Sequence, residues 1–157
     1  METKIGIKHA DLASEAHTLS KILADEFLLY TKTLNAHWNV EGPNFHDKHI
    51  FFEGQYNQLA EVVDSVAERI RKLGHYAPAT LKQYLELTQF TEESIEKNDG
   101  EGFIKELLEC HESVILELRE NVHRFADDFN DDGTSDFITG LMEKHETLSW
   151  MLRAHLK

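Results

Sequence analysis

The 157-residue chain reads as an all-α protein: a four-helix bundle whose second and third long helices are joined by a crossover carrying a short extra helix. Three observations lead there. Apolar residues recur at steps of three and four through four long windows, and no window alternates with period two. The only two prolines, Pro43 and Pro78, fall between those windows. The connections are unequal, short between the first and second helices and between the third and fourth, and long in the middle.

The first helix is expected from about Asp11 to Asn39, on the stripe Leu19, Ile22, Leu23, Phe27, Tyr30, Leu34. His37 continues that stripe and so faces inward. Gly42 can take positive φ, and Pro43 suits the first turn of the next helix. The second helix runs from about Asn44 to Leu73. Arg69, Arg71 and Lys72 favour its C-terminal dipole, and Gly74 stops it. Its stripe reads Phe45, Phe52, Tyr56, Leu59, Ala60, Val63, Ala67, Ile70, with Lys48, Gln55, Gln58, Glu61 and Arg69 on the wet side. A short helix at about Pro78–Glu86 follows, then a polar connection from Thr91 to Gly102 with room for a helical turn at its start. Asp99 is a fitting N-cap for the third long helix, which ends near Phe129. It carries Ile104, Leu107, Leu108, His111, Ile115, Leu118, Val122 and Phe125 inward. Asn130 to Gly133 form a turn, with Thr134 or Ser135 expected to cap the fourth helix. That helix uses Phe137, Ile138, Leu141, His145, Leu148, Met151, Leu152 and His155. The long central crossover matches a ferritin-like bundle better than a simple up-down one.

Composition narrows the function. One domain over residues 1–157 is the default for this length. Hydrophobic residues at 41% and charged residues at 29% fit an ordered soluble chain. A net charge of -13 repels DNA and anionic membranes and concentrates cations. Cys110 is the only cysteine, so no intrachain disulfide can form, which fits a reducing compartment. No secretory leader and no run long enough to span a membrane are apparent, so a cytoplasmic location is expected.

The acids of the second helix carry the chemistry. His49 with Glu53, and Asp64 with Glu68, are pairs four residues apart, each returning to one helix face. They lie within or beside the apolar stripe, away from the usual place of surface ion pairs. Glu53 and Asp64 share a face but stand ~16 Å apart along the axis at ~1.5 Å per residue. One ion cannot touch both, because ligand bonds measure ~2.0–2.6 Å. Each pair is therefore half of a site. The two pairs share one midpoint, between Gln58 and Leu59. An antiparallel two-fold mate crossing there at a shallow angle sets His49 opposite the partner helix's residue 68, and Glu53 opposite its residue 64. His37, near the start of the second helix, can close the set. Two imidazoles and three carboxylates suit Fe(II) or another divalent ion and are too oxygen-rich for a closed structural zinc site.

His37, Trp38, Asn39 and Val40, then Gly42, Phe45, His49, Glu53, Asp64, Ala67, Glu68 and Arg69, together resemble the Dps or mini-ferritin family. The short crossover helix and the tail Trp150 to Leu156 match as well, so the likeness covers nearly the whole chain. The resemblance implies a hollow homododecamer with ferroxidase sites at its dimer interfaces. There Fe(II) is oxidised, typically by hydrogen peroxide, with oxygen as the other oxidant, and ferric mineral is stored inside. It places the catalytic and metal ligands at His37, His49, Glu53, Asp64 and Glu68, with iron (Fe2+/Fe3+) at inter-subunit sites. Glu53 stands where relatives often have Asp, one methylene shorter. Relatives that bind DNA often use a lysine-rich terminal extension. Here the start offers only Lys4 and Lys8, so DNA binding is expected to be weak. The alternative to ferroxidase and iron storage is a nucleoid-binding DNA-protection protein with little iron chemistry.

Other residues have blander readings. Trp38 is expected in core or interface packing, or lining the metal pocket. His111, His145 and His155 are expected as hydrogen-bonded core or interface residues. Asp127, Asp128, Asp131, Asp132 and Asp136 cap a solvated turn or form an acidic mouth that draws in cations. Glu120 with His123 fits Glu-x-x-His, but the motif occurs once and Glu120 falls off the apolar stripe, so it belongs on the surface.

Overall fold

A computed structural model describes residues 3–93 and 99–157. Its elements are α1 (His9–Asn39), α2 (Phe45–Lys72), α3 (Leu81–Leu87), α4 (Gly100–His123), a π-helical extension (Arg124–Asp128) and α5 (Asp132–Ala154). Among the described residues there is no strand, only an isolated bridge between Glu41 and Asp99. The four long helices α1, α2, α4 and α5 form the bundle, and α3 sits in the crossover. α1 packs chiefly on α2, and α4 on α5. The turn expected at the start of the 91–102 connection is absent at residues 91–93, and residues 94–98 lie outside the described set.

The termini follow the local chemistry. Gly42 and Gly74 take φ of 94° and 89°, which a side chain would strain, so each ends a helix as expected. Asp99 caps α4 by accepting the Gly102 N–H at 2.8 Å. α5 begins earlier than Thr134 or Ser135: its N-cap is Asp131, which accepts the Thr134 N–H at 3.0 Å. Thr134 sits inside the first turn instead. Its hydroxyl donates to Asp131 and accepts from Arg69 of α2 at 2.8 Å. The long third helix widens after His123, where five residues adopt π geometry before the turn.

The stripe of α2 needs correction. Its buried residues are Phe52, Gln55, Leu59, Val62, Val66 and Ile70. Gln55 is inside, not on the wet face, because its amide donates to the Leu148 carbonyl at 3.4 Å. Phe45 and Ala60 are exposed, and Tyr56, Val63 and Ala67 are half-buried. The sequence pattern merges two faces about 90° apart on the helix. One is the bundle seam. The other, from Phe45 through Tyr56 to Ala67, is left uncovered by the subunit's own core.

Candidate metal centre

His37 ends α1 and His49 begins α2, and the short Val40–Asn44 turn folds them together. Their rings stack with centroids 3.8 Å apart and planes 21° from parallel. The hydrogen bonds are reciprocal. His37 Nδ1–H donates to the His49 carbonyl at 2.8 Å, and His49 Nδ1–H donates to the His37 carbonyl at 2.8 Å. A carbonyl can only accept, so both protons sit on Nδ1. In the neutral rings each Nε2 then carries a free lone pair. This is the tautomer a metal-binding imidazole needs, fixed before any ion arrives. Tyr56 meets the His37 ring edge-on at 5.1 Å, and Phe45 lies 5.3 Å from the ring of His49. His37 is buried, as its place on the stripe requires.

The carboxylates are placed differently. Glu53, one turn after His49, is half-buried, whereas Asp64 and Glu68 on the far half of α2 are exposed, the Glu68 side chain at 62%. Glu68 lies 3.7 Å from the exposed Lys72 in a four-residue surface pair, contrary to the expectation that it would avoid such a place. Among the described residues, no group of three or more His, Cys, Asp or Glu side chains is gathered tightly enough to hold a metal ion. The subunit thus brings His37 and His49 together and leaves Asp64 and Glu68 apart. Trp38 is 68% exposed, which removes core packing as its role.

A second polar constellation, inside the bundle, is only partly visible in the sequence. Glu26, His145 and His111 come from α1, α5 and α4, and each is 0% exposed. His145 Nε2–H donates to Glu26 Oε1 at 2.8 Å, and the two Nδ1 atoms of His145 and His111 are 2.8 Å apart. Since Nε2 of His145 carries the proton, its Nδ1 accepts, and His111 Nδ1 must donate. His111 Nε2 and Glu26 Oε2 have no protein partner among the described residues. His111 and His145 are the hydrogen-bonded core histidines expected. His155 lies outside the core: it is exposed, its Nδ1–H donates to the Met151 carbonyl at 2.8 Å, and its ring is 4.2 Å from Phe51. Glu26 escapes the sequence reading, although Glu15, Leu19, Ile22, Glu26 and Leu29 step by three and four on one face. Glu120 and His123 differ: Glu120 is on the surface as expected, and so is the His123 side chain at 81% exposure.

Of the acids at the α4–α5 junction, Asp128, Asp132 and Asp136 are exposed, Asp127 has its side chain 76% exposed, and Asp131 is buried as the cap. Asp131 pairs with Arg69 at 3.3 Å. Glu15, fully enclosed beside Asp131, is pushed up to about 8 by burial first and then by that neighbouring acid.

A ferritin-like domain model matches residues 16–157. An uncharacterised low temperature-induced protein of Nostoc is 39% identical over 98% of this chain and 86% of its own length. DNA protection during starvation protein 2 of Bacillus anthracis is 36% identical over 88% of this chain and 93% of its own. The chain belongs to the Dps family of ferritin-like proteins. The Dps fold extends over the whole subunit. The Dps protein of Vibrio cholerae, described as one of the ferritin-like diiron-carboxylate proteins, has a TM-score of 0.92 at 29% identity, covering 100% of this chain and 98% of that one. Dps from Mycobacterium smegmatis gives a TM-score of 0.92 at 26% identity, covering 100% and 94%. No described helix is long and apolar enough to cross a membrane.

Proposed function

We propose that the protein is a ferroxidase and iron-storage Dps whose metal sites are shared between subunits. The observation that carries this reading is the paired His37 and His49, with both Nδ1 protons tied to carbonyls and both Nε2 lone pairs free. His37, His49 and Glu53 form one half-site, and Asp64 and Glu68 of the mate supply the other. The half-covered apolar face of α2 supports an antiparallel mate, since it carries His49, Glu53 and Asp64 along with Tyr56 and Val63. The whole chain acts as one ferritin-like domain. It assembles into a hollow homododecamer of two-fold dimers in the cytoplasm.

Fe(II) is the substrate. Carboxylates are hard oxygen donors and favour Fe(III), so they lower the potential of bound iron. The two imidazoles keep the site open to Fe(II), for which nitrogen ligands are well suited. Hydrogen peroxide accepts two electrons, one from each of two Fe(II) ions, and its O–O bond breaks to give two hydroxide ions. Taking the electrons in pairs avoids a hydroxyl radical. The ferric product is hydrolysed and stored, protecting the cell from oxidative damage. The -13 charge raises the local Fe(II) concentration, and the outward carboxylates of Asp127, Asp128, Asp132 and Asp136 add to that field.

The test is anaerobic loading with Fe(II), then peroxide or oxygen, with optical detection of ferric product. Wild type is expected to oxidise iron, and a His37→Ala, Asp64→Ala double variant to lose most of that rate. Equal rates would remove the assigned site. The DNA-protection reading is favoured by the names of relatives and opposed by the net charge. Tight, salt-sensitive retardation of DNA by a protein without Fe(II) oxidation would reverse the choice.

A further inference from the structure

The crossover is fastened to the bundle at one point by two carboxyl groups and one amide. Gln89 Nε2 donates to Asp25 Oδ2 at 2.9 Å and to Glu117 Oε2 at 2.9 Å, so a single amide bridges α1 and α4. Asp25 also accepts the Gln89 backbone N–H at 2.9 Å and the Thr88 hydroxyl. Thr88 is the C-cap of α3, its N–H donating to the Tyr84 carbonyl. The bridge therefore holds the end of the helix described in the crossover.

We propose that Asp25 and Glu117 form a shared-proton latch: one proton held between them keeps the crossover seated, and its loss opens the bridge. Two carboxylates cannot both ionise cheaply when held side by side. The donors decide which one keeps the proton. Asp25, 2% exposed, receives three donors, which fill its acceptor positions. Glu117 receives one, is half-buried, and faces Asp25 across the same amide nitrogen. Burial, the bond to Asp25, and the charges of Asp25 and Glu26 hold the Glu117 proton up to about 8. From α1, Lys21 opposes them. From α5, His145 reaches this region through Glu26. A cleft of about 520 Å³ lined by Glu117, Gln89, Ser113, Glu120 and Arg124 opens this pair to water, so the proton can leave. Once it does, only the two N–H groups of one amide stand between two like charges, and their repulsion drives the carboxylates apart. Glu117 swings into the cleft and the α4 anchor of Gln89 is lost. Asp25 alone then holds the C-terminal end of α3, whose Tyr84 ring stacks on Phe27 at 4.4 Å.

Iron plays no part in this, so apo-protein suffices for the test. Hydrogen exchange of residues 81–90 is followed by mass spectrometry at pH 7 and pH 9 in wild type and in Glu117→Gln, which keeps the neutral shape. Comparing the two proteins at the same pH removes the intrinsic pH dependence of exchange. Equal protection is expected at pH 7. At pH 9 the wild-type segment exchanges faster, the opening constant rising by up to about tenfold per pH unit above the midpoint. Residues 37–49 stay equally protected in both. Glu117→Ala is a second variant that removes the α4 anchor outright and is expected to exchange faster than wild type at pH 7. Equal protection of wild type and Glu117→Gln at pH 9 would overturn the latch. So would loss of protection in Glu117→Gln at pH 7, which marks a purely structural pair.

Discussion

Removing the His145 imidazole shows what the buried chain through Glu26 and His111 contributes. A His145→Leu change fills the space but leaves Glu26 inside without its donor. Removing the donor from a buried carboxyl group leaves it unsatisfied, which costs about 1–3 kcal/mol. Urea denaturation is expected to show a loss of that size, and an unchanged midpoint would mean that the bond from His145 to Glu26 does not support the fold. Burial, then the neighbouring His145, keeps His111 well below its usual range. The unfolded chain takes up that proton near pH 6.5 while the folded one does not, so this group removes stability as pH falls below about 6.5. Glu15 works in the opposite sense. The folded chain keeps its proton up to about 8, the unfolded one releases it from 4.5, so its contribution is full below 4.5 and lost as pH rises to about 8. The stability of Glu15→Gln minus that of wild type should therefore grow with pH across that window. A flat difference would show that Glu15 is ionised in the fold. His37 is legible in the sequence because it extends an apolar stripe by one more step. Glu15 and Glu26 hold equivalent steps yet look like ordinary surface acids. Charge alone does not tell a solvated carboxylate from one whose partner arrives from another helix.

At the scale of elements, the N-terminus of α5 is set by Asp131, which caps the helix and binds Arg69 of α2. Asp131→Ala is expected to cost about 1–2 kcal/mol from the lost cap, partly offset by relief of Glu15. Thermal unfolding of Asp131→Ala, with Asp131→Asn as a cap-retaining control, measures it; equal losses in both would assign the effect to the ion pair instead. Sequence reasoning puts this cap too late, at Thr134 or Ser135, because a run of Asp, Asn, Thr and Ser candidates offers no local means of choosing. Arg69, distant in the chain, selects Asp131. The helix ends with a single glycine are readable, since at Gly42 and Gly74 positive φ leaves few alternatives. The face of α2 is readable only in part. Two apolar faces a quarter-turn apart look like one broad stripe until α5 is known to lie over Gln55.

For the whole molecule, the account depends on what covers the second face of α2. The subunit satisfies its core with Phe52, Leu59, Val62, Val66 and Ile70 and leaves Phe45, Tyr56 and Val63 partly open. It gathers two imidazoles and holds Asp64 and Glu68 away from them. The proposed antiparallel mate would account for both facts together, burying the face and completing two sites. Sharing can be measured directly by co-expressing His37→Ala and Asp64→Ala subunits and comparing the mixed assembly with each variant alone. Each lesion silences its own homodimers. In a mixed dimer both lesions fall in one site, leaving the other intact, so random pairing restores about a quarter of the wild-type Fe(II) oxidation rate. A mixed assembly no more active than either variant alone would mean that every site is built within a single chain.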